Sequence, residues 1–154
     1  MVIGAQESEL EFKALAEDRF VAACRRDHPL AKARRVSWAD LTAHDFISVS
    51  RSSGNRLLID QALAGVAKRP LAVFETQHVT TMLGLVEAGL GVAAVPAMAM
   101  PGADHPLLAS VLLVEPVITR HIGLIRRRGR PLSPAAQQLY DLFEEVKARR
   151  RRQS

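Results

Sequence analysis

The stretch spanning residues 75–98 constrains the fold more than any other part of this chain. It reads as a strand, a helix and a second strand, with each boundary marked. Residues 73–76 form a short β-prone run, and Thr80, Leu83, Leu85, Val86 and Ala88 continue as a helical apolar pattern. Gly89 falls where the residue after a helix needs a positive φ. Gly91 follows, then the apolar run 92–95, which Pro96 stops. Such a unit builds a parallel sheet, and open parallel sheets bind ligands beyond the C-terminal ends of their strands. The strand end at Glu75 and the helix start at Gln77 and His78 are therefore where chemistry is expected, and ligand sensing suits the arrangement better than catalysis.

Bulk properties narrow the alternatives. At 154 residues the chain has room for one domain or two small lobes. With 48% apolar and 24% charged residues, it falls outside the disordered and collagen-like classes. No apolar run approaches the roughly 18 residues of a membrane span; the longest, residues 90–100, is broken by Gly91 and Pro96. The N-terminus has neither the basic flank nor the apolar core of a signal peptide, and residues 2–5 look like a strand. A chain that opens inside a strand suggests that something precedes it.

A single cysteine excludes an internal disulfide and any multi-cysteine metal site. Cys24 lies in the alternating run 20–24 and reads as a small core residue, which points to the cytoplasm. The five histidines show no metal-ligating spacing, so neither a metal nor a cofactor is expected. Gly89-Leu90-Gly91 alone is weak evidence for phosphate binding. Glu75 has no second acid, base or nucleophile in a recognisable motif and reads as structural or hinge-facing, and His28 before Pro29 reads as structural. An enzyme is not expected.

The net charge is +5, but eight arginines stand in two places, Arg126, Arg127, Arg128 and Arg130, and residues 149–152. Without them the body is mildly acidic. A nucleic-acid patch is one reading. A solvated helix end is favoured instead, because no aromatic residues interleave with the arginines as stacking platforms would require.

The remaining elements follow in order: a polar loop at 6–13, a strand at 20–25, a turn at Asp27-His28-Pro29, and a short helix opened by Ser37 and Asp40 at capping-box spacing. A strand at 46–50 leads through Ser53 or Gly54 into a helix ending near Ala64 and closed by Gly65. A strand at 71–76 precedes the marked unit, and a Pro- and Gly-rich loop at 100–107 follows it. Extended segments at 111–115 and 121–127 lead to a final helix with Ser133 as N-cap and Pro134 at its first position. Strands alternating with helices predict an α/β fold with a mainly parallel sheet. The strands from Phe20 to Val95 form one complete lobe in this reading. Residues 2–5, the strand at His121 and the last helix belong to part of a second.

Four stretches together carry a family likeness: residues 26–31 (Arg-Asp-His-Pro-Leu-Ala), the strand at 45–48, the unit at 75–96, and residues 127–136 around Gly129, Pro131 and Pro134. In this order and spacing, covering nearly the whole chain, they resemble the effector-binding domain of LysR-type transcriptional regulators. The resemblance implies a fold like a type 2 periplasmic binding protein, with two Rossmann-like lobes, two crossover strands and a ligand cleft between lobes. The crossovers would be residues 20–25 and roughly 112–117. Residues 1–19 and 118–154, with the helix at 133–150, would be part of lobe I; residues 20–117 would be lobe II. The winged helix-turn-helix and leading half of lobe I of such a regulator are not in the sequence, so DNA would be reached only through that N-terminal part. A truncated first lobe implies unpaired edges, and the resemblance implies a homodimer through the effector domain, with the helix at 54–64 and the strand at Leu71 as contacts.

The candidate site has two halves. Ser48, Ser50, Arg51 and Ser52, with the N-cap candidate Ser53, follow one strand, where hydroxyls, amides and Arg51 can hold an anion. Gln77, His78 and Thr80 stand at the second strand–helix junction, which the resemblance turns toward the same cleft. The expected ligand is a small carboxylated or aromatic metabolite, sensed to control transcription. A headless solute-binding protein or a dominant-negative dimerisation fragment is the alternative.

Overall fold

A computed structural model describes residues 9–151, with side chains through residue 146. The described strands and helices are β1 (Leu10–Arg25), β2 (Arg35–Ser37), β3 (Phe46–Val49), α1 (Gly54–Ala62), β4 (Ala72–Thr76), α2 (Val79–Glu87), β5 (Val92–Pro96), β6 (Leu108–Val114), β7 (Thr119–Arg127) and α3 (Pro134–Arg151). They fall into two compact units, Arg19–Thr119 and the combination of residues 9–18 with 120–151. The expected strand at 2–5 lies outside the described residues.

In the first unit the strand order is β2-β6-β1-β5-β3-β4. β3 pairs parallel to β4 and β5, and β2 parallel to β6, but β1 runs antiparallel to both β5 and β6. The sheet is therefore mixed, with β1 the antiparallel strand between parallel pairs. The helices α1 and α2 enforce parallel returns between β3, β4 and β5. Direction along β1 has no signature in its apolar pattern.

The centre of the sheet is buried on both faces, and β1, β3, β5 and β6 supply both cores by alternation, while the edge strand β4 stays largely exposed. Phe20, Ala22 and Cys24 of β1 join Phe46, Val92 and Ala94 in one cluster with Trp38, Leu41 and Ile59. The intervening Val21 and Ala23 join Ile47, Val49, Ala93 and Val95 under Met82, Leu83 and Val86 of α2. Trp38 is fully buried, and its indole N–H donates to the Pro116 carbonyl at 3.0 Å, so its polar atom is satisfied. Cys24 is equally buried, and burial pushes its thiol up to about 11, the behaviour of an inert core residue.

The marked unit ends as its sequence dictates. Gly89 has φ 83°, its N–H donates to the Val86 carbonyl and the Leu90 N–H to Leu85, the paired bonds of a Schellman cap. At Gly91, a Cβ would lie 2.2 Å from the Asp45 carbonyl oxygen, which accepts from the Val92 N–H at 2.9 Å. Only glycine permits that approach. The reciprocal Ser37–Asp40 bonds also form, with the Asp40 carboxylate accepting from the Ser37 N–H at 2.7 Å and the Asp40 N–H donating to the Ser37 hydroxyl at 3.1 Å. These bonds close the turn ahead of the helix, a single 3-10 turn at Asp40–Ala43 whose N-cap residue is Ala39, with no side-chain cap.

The second unit comprises the first part of β1, then β7 and α3. Residues 10–13, expected as loop, are strand. Leu10 and Phe12 alternate there with Glu11 and Lys13, a period-2 pattern hidden by its high charge. Ion pairs hold it: Glu11 with Arg126 at 2.8 Å, Lys13 with Glu144, and Asp18 with Arg120 at 2.9 Å. The extended segment expected at 112–117 ends at Val114, and the next strand starts at Thr119. Ser133 caps α3, its hydroxyl accepting from the Ala136 N–H at 3.3 Å. Leu139, Leu142, Phe143 and Val146 along α3 are all more than 40% exposed. No described helix is long and apolar enough to cross a membrane.

Candidate functional site

Two strand ends come together in the first unit. β3 and β4 run parallel with Val49 opposite Thr76, so both chains leave the sheet at the same level. The Ser50 N–H continues the ladder to the Thr76 carbonyl at 2.7 Å. Beyond it, the Ser50 hydroxyl donates to the Gln77 side-chain oxygen at 3.3 Å and lies 2.9 Å from the Ser52 hydroxyl. Ser53 caps α1, its hydroxyl accepting from the Asn55 N–H at 3.3 Å. His78 occupies the N-cap position of α2 without using its ring for the cap, and the Thr76 hydroxyl donates to its carbonyl at 3.0 Å. The His78 and Thr80 side chains are exposed at the start of α2. Hydroxyl, amide and imidazole groups are thus presented together where amides at the starts of two helices point outward.

Ser48 and Arg51, next to this junction in the chain, border a cavity on the α1 side of the sheet. Ser48 is buried on the α1 side of β3, and its hydroxyl accepts from Arg56 Nη1 at 3.1 Å. Arg51 lines this cavity, of about 360 Å³, with Ser48, Trp38, Phe46, Leu63 and Arg69. Of the seven residues expected from the sequence, five are therefore at the strand ends and two at this cavity.

Arg56 was not legible as a site residue. Its Nε lies 3.0 Å from both carboxylate oxygens of Asp60, one helical turn on, and its Nη1 lies 3.2 Å from Glu75. The Arg56–Asp60 spacing was visible in the sequence as an i,i+4 pair. The contact with Glu75 was not, because it depends on a β-bulge. Phe46 faces Ala72 and Ile47 faces Phe74, leaving Val73 unmatched. The extra residue brings both Ala72 and Glu75 to the α1 side. Glu75 is thereby an ion-pair partner inside the unit.

A second cavity, of about 640 Å³, is lined by His28, His44, Asp45 and Gly91 among others. The His28 and His44 rings meet edge to face with centroids 4.8 Å apart, and His28 Nδ1 accepts from the Leu30 N–H at 3.2 Å. Burial, then the neighbouring His44, lowers the His28 pKa. Among the described residues no cluster of three His, Cys, Asp or Glu is placed to hold a metal.

The LysR substrate binding domain family matches residues 3–148. The chain belongs to that family. It is 49% identical over 88% of its length to the HTH-type transcriptional regulator YbhD of Escherichia coli strain K12, covering 43% of that protein. To YfeR of Shigella flexneri, another HTH-type regulator, it is 34% identical over 89% of its length and 44% of that protein. The chain thus spans less than half of the curated relatives it matches. Among solved structures it is similar to the effector binding domain of QuiR in complex with shikimate (TM-score 0.79, 26% identity, 96% of this chain and 69% of that one). The regulatory domain of CcmR from Synechocystis PCC6803, in complex with 2-PG, has the same fold (TM-score 0.79, 22% identity, 94% and 70%). The architecture is that of LysR effector-binding domains, resembling type 2 periplasmic binding proteins.

Proposed function

We propose that this chain is the ligand-sensing part of a bacterial transcriptional regulator and that it binds a small anionic metabolite at the ends of β3 and β4. The observation that carries the reading is the Ser50–Gln77 hydrogen bond, which joins two strand–helix junctions into one polar surface. Parallel sheets recognise ligands at such ends. Ser50, Ser52, Gln77, His78 and Thr80 supply hydrogen-bonding groups there, Arg51 in the same loop supplies charge, and Ser48 fixes the neighbouring Arg56. The relatives are regulators, and two structural neighbours are complexes with shikimate and with 2-PG, which supports a small-molecule ligand. In this reading Arg19–Thr119 is lobe II, the other unit is part of lobe I, and the protein works in the cytoplasm. DNA contact belongs to a helix-turn-helix outside this sequence.

Two copies associate in this proposal through α1 and the edge strand β4, where Leu71 is 80% and Val73 58% exposed. Light scattering over a concentration series tests it, and a monomer at all concentrations removes it.

For the ligand, shikimate and other small carboxylates are screened by thermal shift, and those that stabilise are titrated by calorimetry. Gln77→Ala and His78→Ala each weaken binding several-fold in the expected result. A carboxylate bound equally well by both variants sinks the strand-end site. Unchanged affinity in Arg51→Ala removes Arg51 alone.

A further inference from the structure

We infer that the cavity beneath α1 is a second, separate site, for an organic carboxylate with an apolar body. Its floor is apolar: Trp38 and Phe46 are buried in the sheet core and Leu63 closes the end of the helix. Its rim carries Arg51 and Arg69 beside the Arg56–Asp60 ion pair, a net positive charge. Arg51 precedes α1 and Arg69 follows it, so the two stand at opposite ends of a nine-residue helix while lining one cavity. Neither has a hydrogen-bond or ion-pair partner among the described residues, and both are exposed. Arg56, by contrast, is committed to Asp60, Glu75 and Ser48, which hold it as a fixed wall.

These features select a ligand class. A bare inorganic anion would leave the apolar floor unused, and an uncharged hydrophobe would leave two guanidinium groups unpaired. An aromatic or branched aliphatic carboxylate satisfies both. The cavity, about 360 Å³, falls within the usual range of small-molecule pockets. The site shares Arg51 with the strand-end proposal but is distinguished from it by Arg69, which lines only this cavity, and by Ser50, Gln77 and His78, which do not line it.

Trp38 is the single tryptophan of the chain, so its fluorescence reports on the cavity directly. The chain is titrated with phenylacetate at one fixed protein concentration, because Leu71 borders both the cavity and the proposed contact between copies. Phenethyl alcohol and inorganic phosphate serve as comparison probes. A saturable change in Trp38 emission is expected with phenylacetate, and a markedly weaker one with either comparison probe. Arg69→Ala is expected to weaken phenylacetate about tenfold, Arg69→Lys less, and Gln77→Ala not at all. The inference is overturned by an absence of saturable change up to high millimolar phenylacetate, or by unchanged affinity in Arg69→Ala. It also fails if Gln77→Ala abolishes the signal, which would place the probe at the strand ends and leave that site standing.

Discussion

The same strand, β1, serves two regions that are stabilised by different physics. From Phe20 to Cys24 it lies in a sheet with apolar side chains buried on both faces. From Glu11 to Asp18 it pairs with β7 and carries ion pairs, with Phe12 40% exposed and Leu139, Leu142, Phe143 and Val146 of α3 about half exposed. The first region draws on area removed from water, which charge screening does not weaken. The second draws on charges, most of them at the surface, where salt screens them and each contributes little. Burial makes one region rigid by default, whereas charge pairing leaves the other dependent on solution conditions.

The largest expected effect tests the apolar side. Phe20 is 1% exposed, and Phe20→Ala is expected to destabilise the first unit by about 3–5 kcal/mol. Urea unfolding followed by Trp38 fluorescence measures it. The matching change on the exposed side, Leu142→Ala, removes a side chain that is 55% exposed and is expected to shift the same midpoint by less than about 0.5 kcal/mol. If the two substitutions cost similar amounts, the contrast between the regions does not exist.

The next effect lies two residues from Phe20, across the boundary. Asp18 is 2% exposed, and its carboxylate accepts two hydrogen bonds from Arg120 at 3.0 and 2.9 Å. It is the buried exception among the charges of the second unit. Asp18→Ala is expected to cost about 1–3 kcal/mol, below the usual loss for a fully buried pair because Arg120 remains a quarter exposed and keeps access to water. Hydrogen exchange should show faster opening in residues 10–18 and 120–127, with protection of β3 and β5 unchanged. Equal loss in β3 and β5 would mean that the two units open as one.

What the sequence disclosed follows the same division. The elements of the first unit were legible because their signals are local: the apolar periodicity of α2, the Schellman glycine at 89, the Ser37–Asp40 box. The direction of β1 was not, since antiparallel and parallel central strands bury the same residues. Nor was the start of β1 at Leu10, because Glu11 and Lys13 made a strand look like a loop until their partners Arg126 and Glu144, more than a hundred residues away, were in place. At the candidate site the two junctions were readable as strand ends. The side of the sheet that Ser48 faces, and the bulge at Val73 that brings Glu75 to Arg56, required the pairing register.

The smallest effect tests the charged side through pH. The Glu11 carboxyl is held below its ordinary value near 4.5, first by the hydrogen bond from Arg126, then by the charges of Arg126, Arg128 and Lys13, against an opposing contribution from burial. A carboxylate depressed in the folded state stabilises that state above its unfolded pKa, and the contribution disappears as pH falls through the folded value. Exchange protection of residues 10–14 should therefore decline as pH drops below about 4.5, after correction for the intrinsic exchange rate. Glu11→Gln should flatten that decline and lower protection slightly at neutral pH, and added salt should mimic the substitution, since the pair is exposed on both sides. A decline of equal size in Glu11→Gln would assign it to another group. Loss confined to this segment, with β3 and β5 still protected, would show that acid loosens the charged region while the apolar one holds.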